Sequence, residues 1–267
     1  MTLPEEIRRL AEDPEAFRPL EPGEDRIEDP RYVIRLSQGR FPRSVGVQRL
    51  RFSEPDLDAT VAEIRGLIAA SGRDASTWMV GSSATPPDLG GRLLAMGFTR
   101  EGGYVGMVLA APPASRPATG FVVRLAETWE EYRAATDVSV ECFSFELEPQ
   151  EAHEAREQAR RRFDEQEAGG PVALAVVWDG DEPVATGRVT FTEWGLYLTG
   201  GGTLPSARGR GAFSALIPAA WKEAVRRGTP ALITQAQPTS RPILRKLGFQ
   251  EVALIREFRD QRPQEPA

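Results

Sequence analysis

The spacing of hydrophobic positions predicts alternating strands and helices along most of the chain. Alternating apolar residues at 121–125, and apolar runs at 172–178 and 183–191, are typical of strands. The dipeptide Asp179-Gly180 between the two runs is typical of a hairpin turn. The same reasoning predicts strands at 77–80, 194–204, 231–236 and 251–258, and helices at 5–12, 57–70, 128–142, 149–166, 212–227 and 239–247.

Two of the predicted helices carry recognisable ends. Thr128 is a predicted N-cap, and Glu131 stands at the spacing of a capping box. Two arginines followed by Gly228 predict the end of the helix over 212–227. A hairpin-rich set of strands with intervening helices predicts an α/β fold of the mixed α+β kind, in which a mostly antiparallel sheet is flanked by helices.

The two halves of the chain resemble each other. The segment 89–98 matches the segment 240–249, and both end in Gly-Phe, which gives an offset of 249 − 98 = 151 residues. At the same offset Pro87 falls on Pro238, and the predicted helix over 57–70 falls on the helix that follows Arg208. A chance similarity of two helix ends is the alternative, but agreement of several elements favours a degenerate tandem repeat.

A proline-rich segment with no periodicity separates the halves. It reads Ala-Ala-Pro-Pro-Ala-Ser-Arg-Pro-Ala-Thr-Gly and ends at Gly120, which is typical of a linker. We therefore predict a first domain over 1–110, a linker over 111–120 and a second domain over 121–267. The first thirty residues are predicted to hold one short helix and an irregular segment.

Composition narrows the classes of function. The formal net charge of −6 and the pI of about 5.2 disfavour a nucleic-acid-binding protein. One cysteine and one histidine leave almost no material for a metal site and none for an internal disulfide. No apolar run is long enough for a membrane span, and the start of the chain does not resemble a signal peptide, so a cytoplasmic protein is expected.

A glycine-rich segment over 200–214 carries the clearest chemical signal. A predicted strand runs into glycines whose amides can point at one spot, and a helix follows immediately. The first amides of a helix lack partners and its dipole is positive there, so the arrangement suits a pyrophosphate, with added charge from Arg208 and Arg210. The alternative is a solvated turn. The pattern is neither a Walker loop nor a dinucleotide-binding fingerprint.

These residues resemble the signatures of the GNAT superfamily of acetyl-CoA-dependent N-acetyltransferases. The segment 208–212, Arg-Gly-Arg-Gly-Ala, resembles the phosphate loop of that family. The segment 237–249 resembles its second signature, and the two follow in the family's order. The main departures from the pattern are Phe213 in place of a small residue, Gln237 in place of Asn, and Leu244 in place of the Tyr that protonates the leaving thiolate in many members. Pro218 also lies inside the helix that follows the loop and is expected to kink it.

The resemblance implies a GNAT-like fold in two copies and acetyl-CoA as co-substrate, with no metal. It implies that strand backbone contacts the pantetheine arm, that the loop holds the pyrophosphate, and that an amide side chain lies nearby. The residues implied are Gly201, Gly202 and Thr203 on the strand, Arg208, Gly209, Arg210, Gly211, Ala212, Phe213 and Ser214 in the loop, and Gln237.

The catalytic groups are less clearly marked. A lysine-like amine must lose a proton at a cost of about 4–5 kcal/mol at pH 7, whereas an α-amine costs only about 1 kcal/mol. Glu193 and Tyr197 are the candidates for the base, and Tyr197 is also the first candidate for an acid in place of the missing Tyr. Each has a simpler interpretation, Glu193 as a solvated turn charge and Tyr197 as a core or pocket-wall residue. Cys142 and His153 are predicted to be a buried thiol and a solvated helix residue.

The sequence thus predicts direct transfer of an acetyl or other short acyl group from CoA to a primary amine. The acceptor is expected to be a small molecule or a peptide, and the protein a monomer or homodimer. The first half is expected not to bind CoA, because Asp56 and Asp58 near its equivalent of the loop would repel pyrophosphate. The alternative is a non-catalytic module that binds acyl-CoA.

Overall fold

The computed structural model describes residues 3–37, 44–114, 120–143 and 149–261, without the side chains of 149, 151, 152 and 155. The helices are α1 (Glu5–Glu12), α2 (Pro14–Phe17), α3 (Leu57–Ala70), α4 (Leu89–Ala95), α5 (Trp129–Phe143), α6 (Pro149–Glu167), α7 (Ala212–Arg226) and α8 (Arg241–Lys246). The strands are β1 (Asp25–Asp29), β2 (Tyr32–Leu36), β3 (Val45–Gln48), β4 (Ala75–Val80), β5 (Thr99–Leu109), β6 (Phe121–Leu125), β7 (Val172–Asp179), β8 (Glu182–Phe191), β9 (Leu196–Thr203), β10 (Leu232–Ala236) and β11 (Gln250–Gln261).

The chain forms two compact units. The first contains the described residues of Met1–Met107, Gln235–Pro238 and Glu251–Ala267, and the second contains those of Val108–Thr234 and Thr239–Gln250. The mixed α/β class predicted from the sequence is confirmed, and most strand pairs are antiparallel. No helix in the described parts of the chain is long and apolar enough to cross a membrane.

In the first unit, β1, β2 and β3 form an antiparallel meander, and β3 then pairs parallel to β4 through the α3 crossover. The last strand of the chain, β11, lies between β4 and β5 and pairs antiparallel with β4. Trp78 on β4 is fully buried, and the rings of Phe52 and Phe98 meet it edge-on at centroid distances of 6.4 and 5.1 Å. The segment after α1, predicted to be irregular, contains α2 and β1.

The second unit repeats this plan. β6, β7, β8 and β9 are antiparallel neighbours, and β9 pairs parallel to β10 through the α7 crossover. The predicted hairpin is confirmed: Gly180, at φ +63°, lies in the two-residue turn between β7 and β8. The predicted cap of α5 is confirmed as well, since the amide of Glu131 donates to Thr128 Oγ1 at 3.3 Å.

Helices cover both faces of the β7–β9 sheet. A Cβ added to Gly187 on β8 would meet Leu216 of α7 at 3.3 Å, so Gly187 faces α7. A Cβ added to Gly202 on β9 would meet Cys142 of α5 at 2.8 Å, so Gly202 faces α5. Because neighbouring residues of a strand point to opposite faces, every position of β8 can be assigned to one helix or the other.

The duplication is visible in backbone detail at the predicted offset of 151 residues. The amide of Phe98 donates to Leu93 O at 3.1 Å, and the amide of Phe249 donates to Leu244 O at 3.1 Å. The preceding glycines have left-handed φ angles of +91° and +100°. Arg49 and Gly200, also 151 residues apart, both have positive φ, at +55° and +59°. The two units are therefore copies of one plan.

Candidate active site

The strand β9 separates from β10 halfway along its length. The parallel pairing ends at Leu198 and Thr234, whereas β9 stays paired with β8 as far as Thr203. Between Thr199 and Gly202 the β8–β9 register shifts by one residue, and Gly200 adopts φ +59°. This is a β-bulge on β9, which leaves its backbone available for a ligand at the point where β10 departs.

The amino terminus of α7 follows this strand and is open. A short 3₁₀ helix over Pro205–Ala207 leads into Gly209 and Gly211, whose φ angles of +73° and +91° favour glycine. The first bond within α7 runs from the amide of Ala215 to Gly211 O at 3.0 Å, and no side chain caps the helix. The amides of 212–214 therefore have no partner inside the helix, which fits an anion such as pyrophosphate.

The two arginines of the loop have different surroundings. Arg208 Nε donates to Thr203 O at 3.1 Å, which ties the loop to the end of β9, while its side chain stays at the surface. Arg210 forms an ion pair with Asp179 at 2.7 Å and lies over the ring of Phe121, 5.4 Å from its centroid. Arg208 is therefore the better placed of the two for a phosphate, and Arg210 supports the loop from the β7–β8 turn.

The glycines of β9 permit close packing on both faces of the strand. A Cβ added to Gly201 would lie 2.6 Å from the ring of Phe213, so the large residue that departs from the family pattern is accommodated by the missing side chain opposite. A Cβ added to Gly202 would clash with Cys142 and come within 3.4 Å of Phe143. Side chains at either position would displace α5 or α7 from the strand.

The two candidate catalytic residues lie in different environments on this part of the chain. Glu193 is exposed in the turn before β9, where Thr192 Oγ1 accepts the amides of Trp194 and Gly195 at 3.3 and 3.2 Å. Tyr197 is only 5% exposed, on the α5 side of β9 opposite Thr190. Glu193 is therefore accessible to solvent, whereas Tyr197 is sheltered from it. The catalytic roles of both residues stay predictions.

The remaining sequence candidates differ in their burial. Leu244 of α8 is 2% exposed, so no hydroxyl occupies the position of the family's Tyr. Gln237 is exposed in the turn after β10, within the first compact unit. Cys142 is buried, and burial raises the pKa of its thiol while Arg208 opposes the rise. His153 is exposed on α6 and contacts Glu157 at 3.2 Å.

The first unit offers no comparable anion site at its crossover helix. Asp56 occupies the N-cap position of α3, and Asp58 lies in the first turn. Ser53 Oγ donates to Asp56 Oδ2 at 2.5 Å, which fixes that carboxylate at the helix end. Two negative charges at this point oppose a phosphate, and the absence of CoA binding in the first half stays a prediction.

Residues 130–249 match the family model described as Acetyltransferase (GNAT) family. This segment is similar to GNAT acetyltransferases. The matched segment contains the bulged strand, the open helix end and the Gly-Phe turn after α8. The recognition made from the sequence is thereby confirmed, and acyl transfer is the type of reaction that this family match supports.

The GNAT fold extends over the whole chain. The chain is similar to a GCN5-related N-acetyltransferase from Kribbella flavida, with a TM-score of 0.69, 17% identity and 96% of each chain covered. It is similar to a tandem GNAT protein from the clavulanic acid biosynthesis pathway, with a TM-score of 0.62, 16% identity and 98% and 90% covered. A GCN5-related N-acetyltransferase from Sphaerobacter thermophilus gives a TM-score of 0.62 at 17% identity, with 89% and 82% covered. No curated protein matches by sequence comparison.

Proposed function

We propose that the second unit transfers an acetyl group from acetyl-CoA to a primary amine of a small molecule or peptide. The observation that carries the proposal is the open amino terminus of α7 directly after the bulged strand β9. A GNAT domain with this arrangement has backbone donors for a pyrophosphate at one end and free strand backbone for an extended thioester arm at the other.

The residues of the second unit fit such a co-substrate. The amides of 212–214, which have no partner within α7, and the left-handed glycines before them would hold the pyrophosphate, with Arg208 as the flanking cation. The backbone of 201–203, beyond the end of the β10 pairing, would follow the pantetheine arm. Bound acetyl-CoA supplies a thioester carbonyl that an amine can attack, with a thiolate as leaving group.

The protonation states set what the protein must supply. A thiol titrates near ~8.5, so its thiolate can depart without an acid, which is consistent with Leu244 at the position of the family's Tyr. An alkylamine is almost fully protonated at pH 7 and needs a base, directly or through water. We assign this role to Glu193, which is exposed in the turn before β9. Tyr197, a sheltered hydroxyl on β9, is the second candidate for a catalytic group.

Two measurements test the proposal. Calorimetry should give one equivalent of CoA per chain, because among the described helices only α7 of the second unit begins with left-handed glycines and an uncapped end. A thiol-release assay with acetyl-CoA over a panel of primary amines should show amine-dependent release. Two equivalents of CoA would contradict the proposal that the first unit does not bind CoA. If no CoA binds at all, the proposal that acetyl-CoA is the co-substrate is wrong.

A second candidate function is a non-catalytic acyl-CoA-binding module. Its support is the buried Leu244, which supplies no proton to a leaving thiolate. Binding of CoA in the same stoichiometry, with thiol release that no amine accelerates above hydrolysis, would favour this alternative over the enzyme.

A further inference from the structure

The face of the second unit that looks toward α5 carries an unusual row of polar side chains. Thr186 and Thr190 on β8 and Tyr197 on β9 lie on this face and are 1%, 2% and 5% exposed. The opposite face, toward α7, is apolar and carries Val189 and Leu198 at a paired position. Sheet faces under a helix are normally apolar, so this face is unusually polar, although Thr186 Oγ1 donates to Ala175 O at 2.9 Å within the sheet.

Arg188 lies in the middle of this row. Gly187 faces α7, so its neighbour Arg188 faces α5, where it pairs across the sheet with Thr199. It is partly buried, and its Cβ would lie 3.9 Å from a Cβ added to Gly200 at the bulge. The strands β7, β8 and β9 contain no other lysine or arginine. One cation is therefore fixed beside the point where β9 opens.

The first unit provides an internal comparison for this position. Gln48 and Thr199 are equivalent at the offset of 151 residues, and Gln48 pairs with Val33 as Thr199 pairs with Arg188. Val33 is fully buried and apolar. The fold therefore does not need a charge at this register position. The first unit has a buried arginine on the same face two residues along β2, Arg35, but that guanidinium is ion-paired with Glu15 and Glu24 of its own unit.

We infer that Arg188 binds an anionic group of the acceptor, so that the substrate of the second unit is an amine that also carries a carboxylate or a phosphate. This inference rests on the proposed acetyl transfer. Guanidinium is suited to both anions because its N–H groups match their paired oxygens. The anion would lie next to the bulge, and the amine of the same molecule would then be held near the thioester.

The test compares wild type with Arg188→Gln on matched acceptors. The panel contains amino acids and their amides, and aminoalkyl phosphates and their parent amino alcohols. The ratio of kcat/KM between wild type and variant is taken for each acceptor separately, so that differences in intrinsic amine reactivity cancel. For acid-bearing amines kcat/KM of wild type should exceed that of the variant by about tenfold or more, mainly because KM rises in the variant. For the neutral counterparts the two values should agree within about twofold.

Three controls separate recognition from structure. Arg188→Lys keeps the charge and should restore part of the activity toward acid-bearing amines. Arg226→Gln removes an exposed arginine at the end of α7 and should leave all ratios near one. CoA binding by the Arg188→Gln variant, measured by calorimetry, should equal that of wild type.

The outcomes are distinguishable. If only the carboxylate-bearing acceptors, or only the phosphate-bearing acceptors, show the large ratio, that result identifies the anion that Arg188 binds. Equal ratios for acid-bearing and neutral amines would overturn the inference while leaving acetyl transfer intact. Loss of CoA binding in the Arg188→Gln variant would also overturn it, because that result would indicate a structural role for Arg188. If no amine accelerates thiol release in wild type, the proposed function fails, and the inference fails with it.

Discussion

Arg65 in α3 forms a two-point ion pair with Asp260 in β11, 195 residues later in the chain. Arg65 Nε and Nη2 each lie 2.8 Å from a carboxylate oxygen of Asp260, and the guanidinium is 4.8 Å from the ring centroid of Phe98. Asp260 has only 6% of its surface exposed. The pair therefore fastens the last strand of the chain into the first unit.

Arg65→Gln should lower the free energy of unfolding by about 2 kcal/mol, because it leaves the carboxylate of Asp260 buried without its partner. Urea denaturation measures the change. The matched control is Arg92→Gln, which breaks exposed ion pairs with Glu54 and Asp88 and should cost under about 0.5 kcal/mol. Equal effects of the two variants would show that the β11 contact contributes nothing special.

Gly211→Val should weaken CoA binding well beyond its effect on folding. Gly211 has φ +91° at the start of α7, so a β-branched residue would strain the backbone and block the approach of a phosphate. Gly228→Val is the control, since Gly228 has φ +77° at the other end of the same helix. Both variants should lose stability to urea, but only Gly211→Val should lose affinity in calorimetry. Unchanged affinity in folded Gly211→Val would remove the phosphate-loop assignment.

The buried carboxyl of Asp13 should make the stability of the protein depend on pH. Burial and the neighbouring Glu12 raise the pKa of Asp13 to about 6, against the opposing effect of Arg51. The folded state then holds the proton more tightly than the unfolded state, whose carboxyl titrates near 3.8. The resulting stabilisation is fully present below pH 3.8 and is lost as the pH rises through 6, by at most about 3 kcal/mol.

Asp13→Asn should remove this component. The variant keeps an oxygen that can accept the amide of Arg49, which lies 3.0 Å from Asp13 Oδ1. Urea unfolding at intervals from pH 4 to pH 8 should show wild type losing stability relative to the variant as the pH increases. A parallel pH dependence of the two proteins would show that Asp13 is ionised at neutral pH without cost.

The rate of acetyl transfer should rise with pH through a single deprotonation of the acceptor or its base. Because Leu244 supplies no proton, no falling limb should appear near the thiol pKa of ~8.5. Leu244→Tyr should then match Leu244→Phe in kcat, since the two differ only in the hydroxyl. Glu193→Gln should lower kcat/KM for an alkylamine more than for an α-amine. A bell-shaped profile that Tyr197→Phe converts to a single rise would instead make Tyr197 the acid.

Local pattern was sufficient for most individual elements. The boundaries of α1, α3 and β6 agree with the predicted ranges, because alternation and 3.6-residue periodicity are properties of neighbouring residues. The same holds for the hairpin at Gly180 and the cap at Thr128, since turn and cap chemistry involves only a few residues. The GNAT signature and the 151-residue repeat were also legible in the sequence.

Tertiary structure decided which strands meet and which side chains face the site. Nothing local shows that β11 pairs with β4, because strand partners are chosen by packing over long separations. No role for Arg188 could be predicted from the sequence, because a single arginine in a predicted strand is most simply interpreted as a solvent-exposed residue. Its place beside Gly200 follows from the β8–β9 register, and a shift of one residue would have turned it to the α7 face. The sequence thus determined most elements and the resemblance to the GNAT family, and the pairing of strands determined which side chains lie beside the bulge of β9.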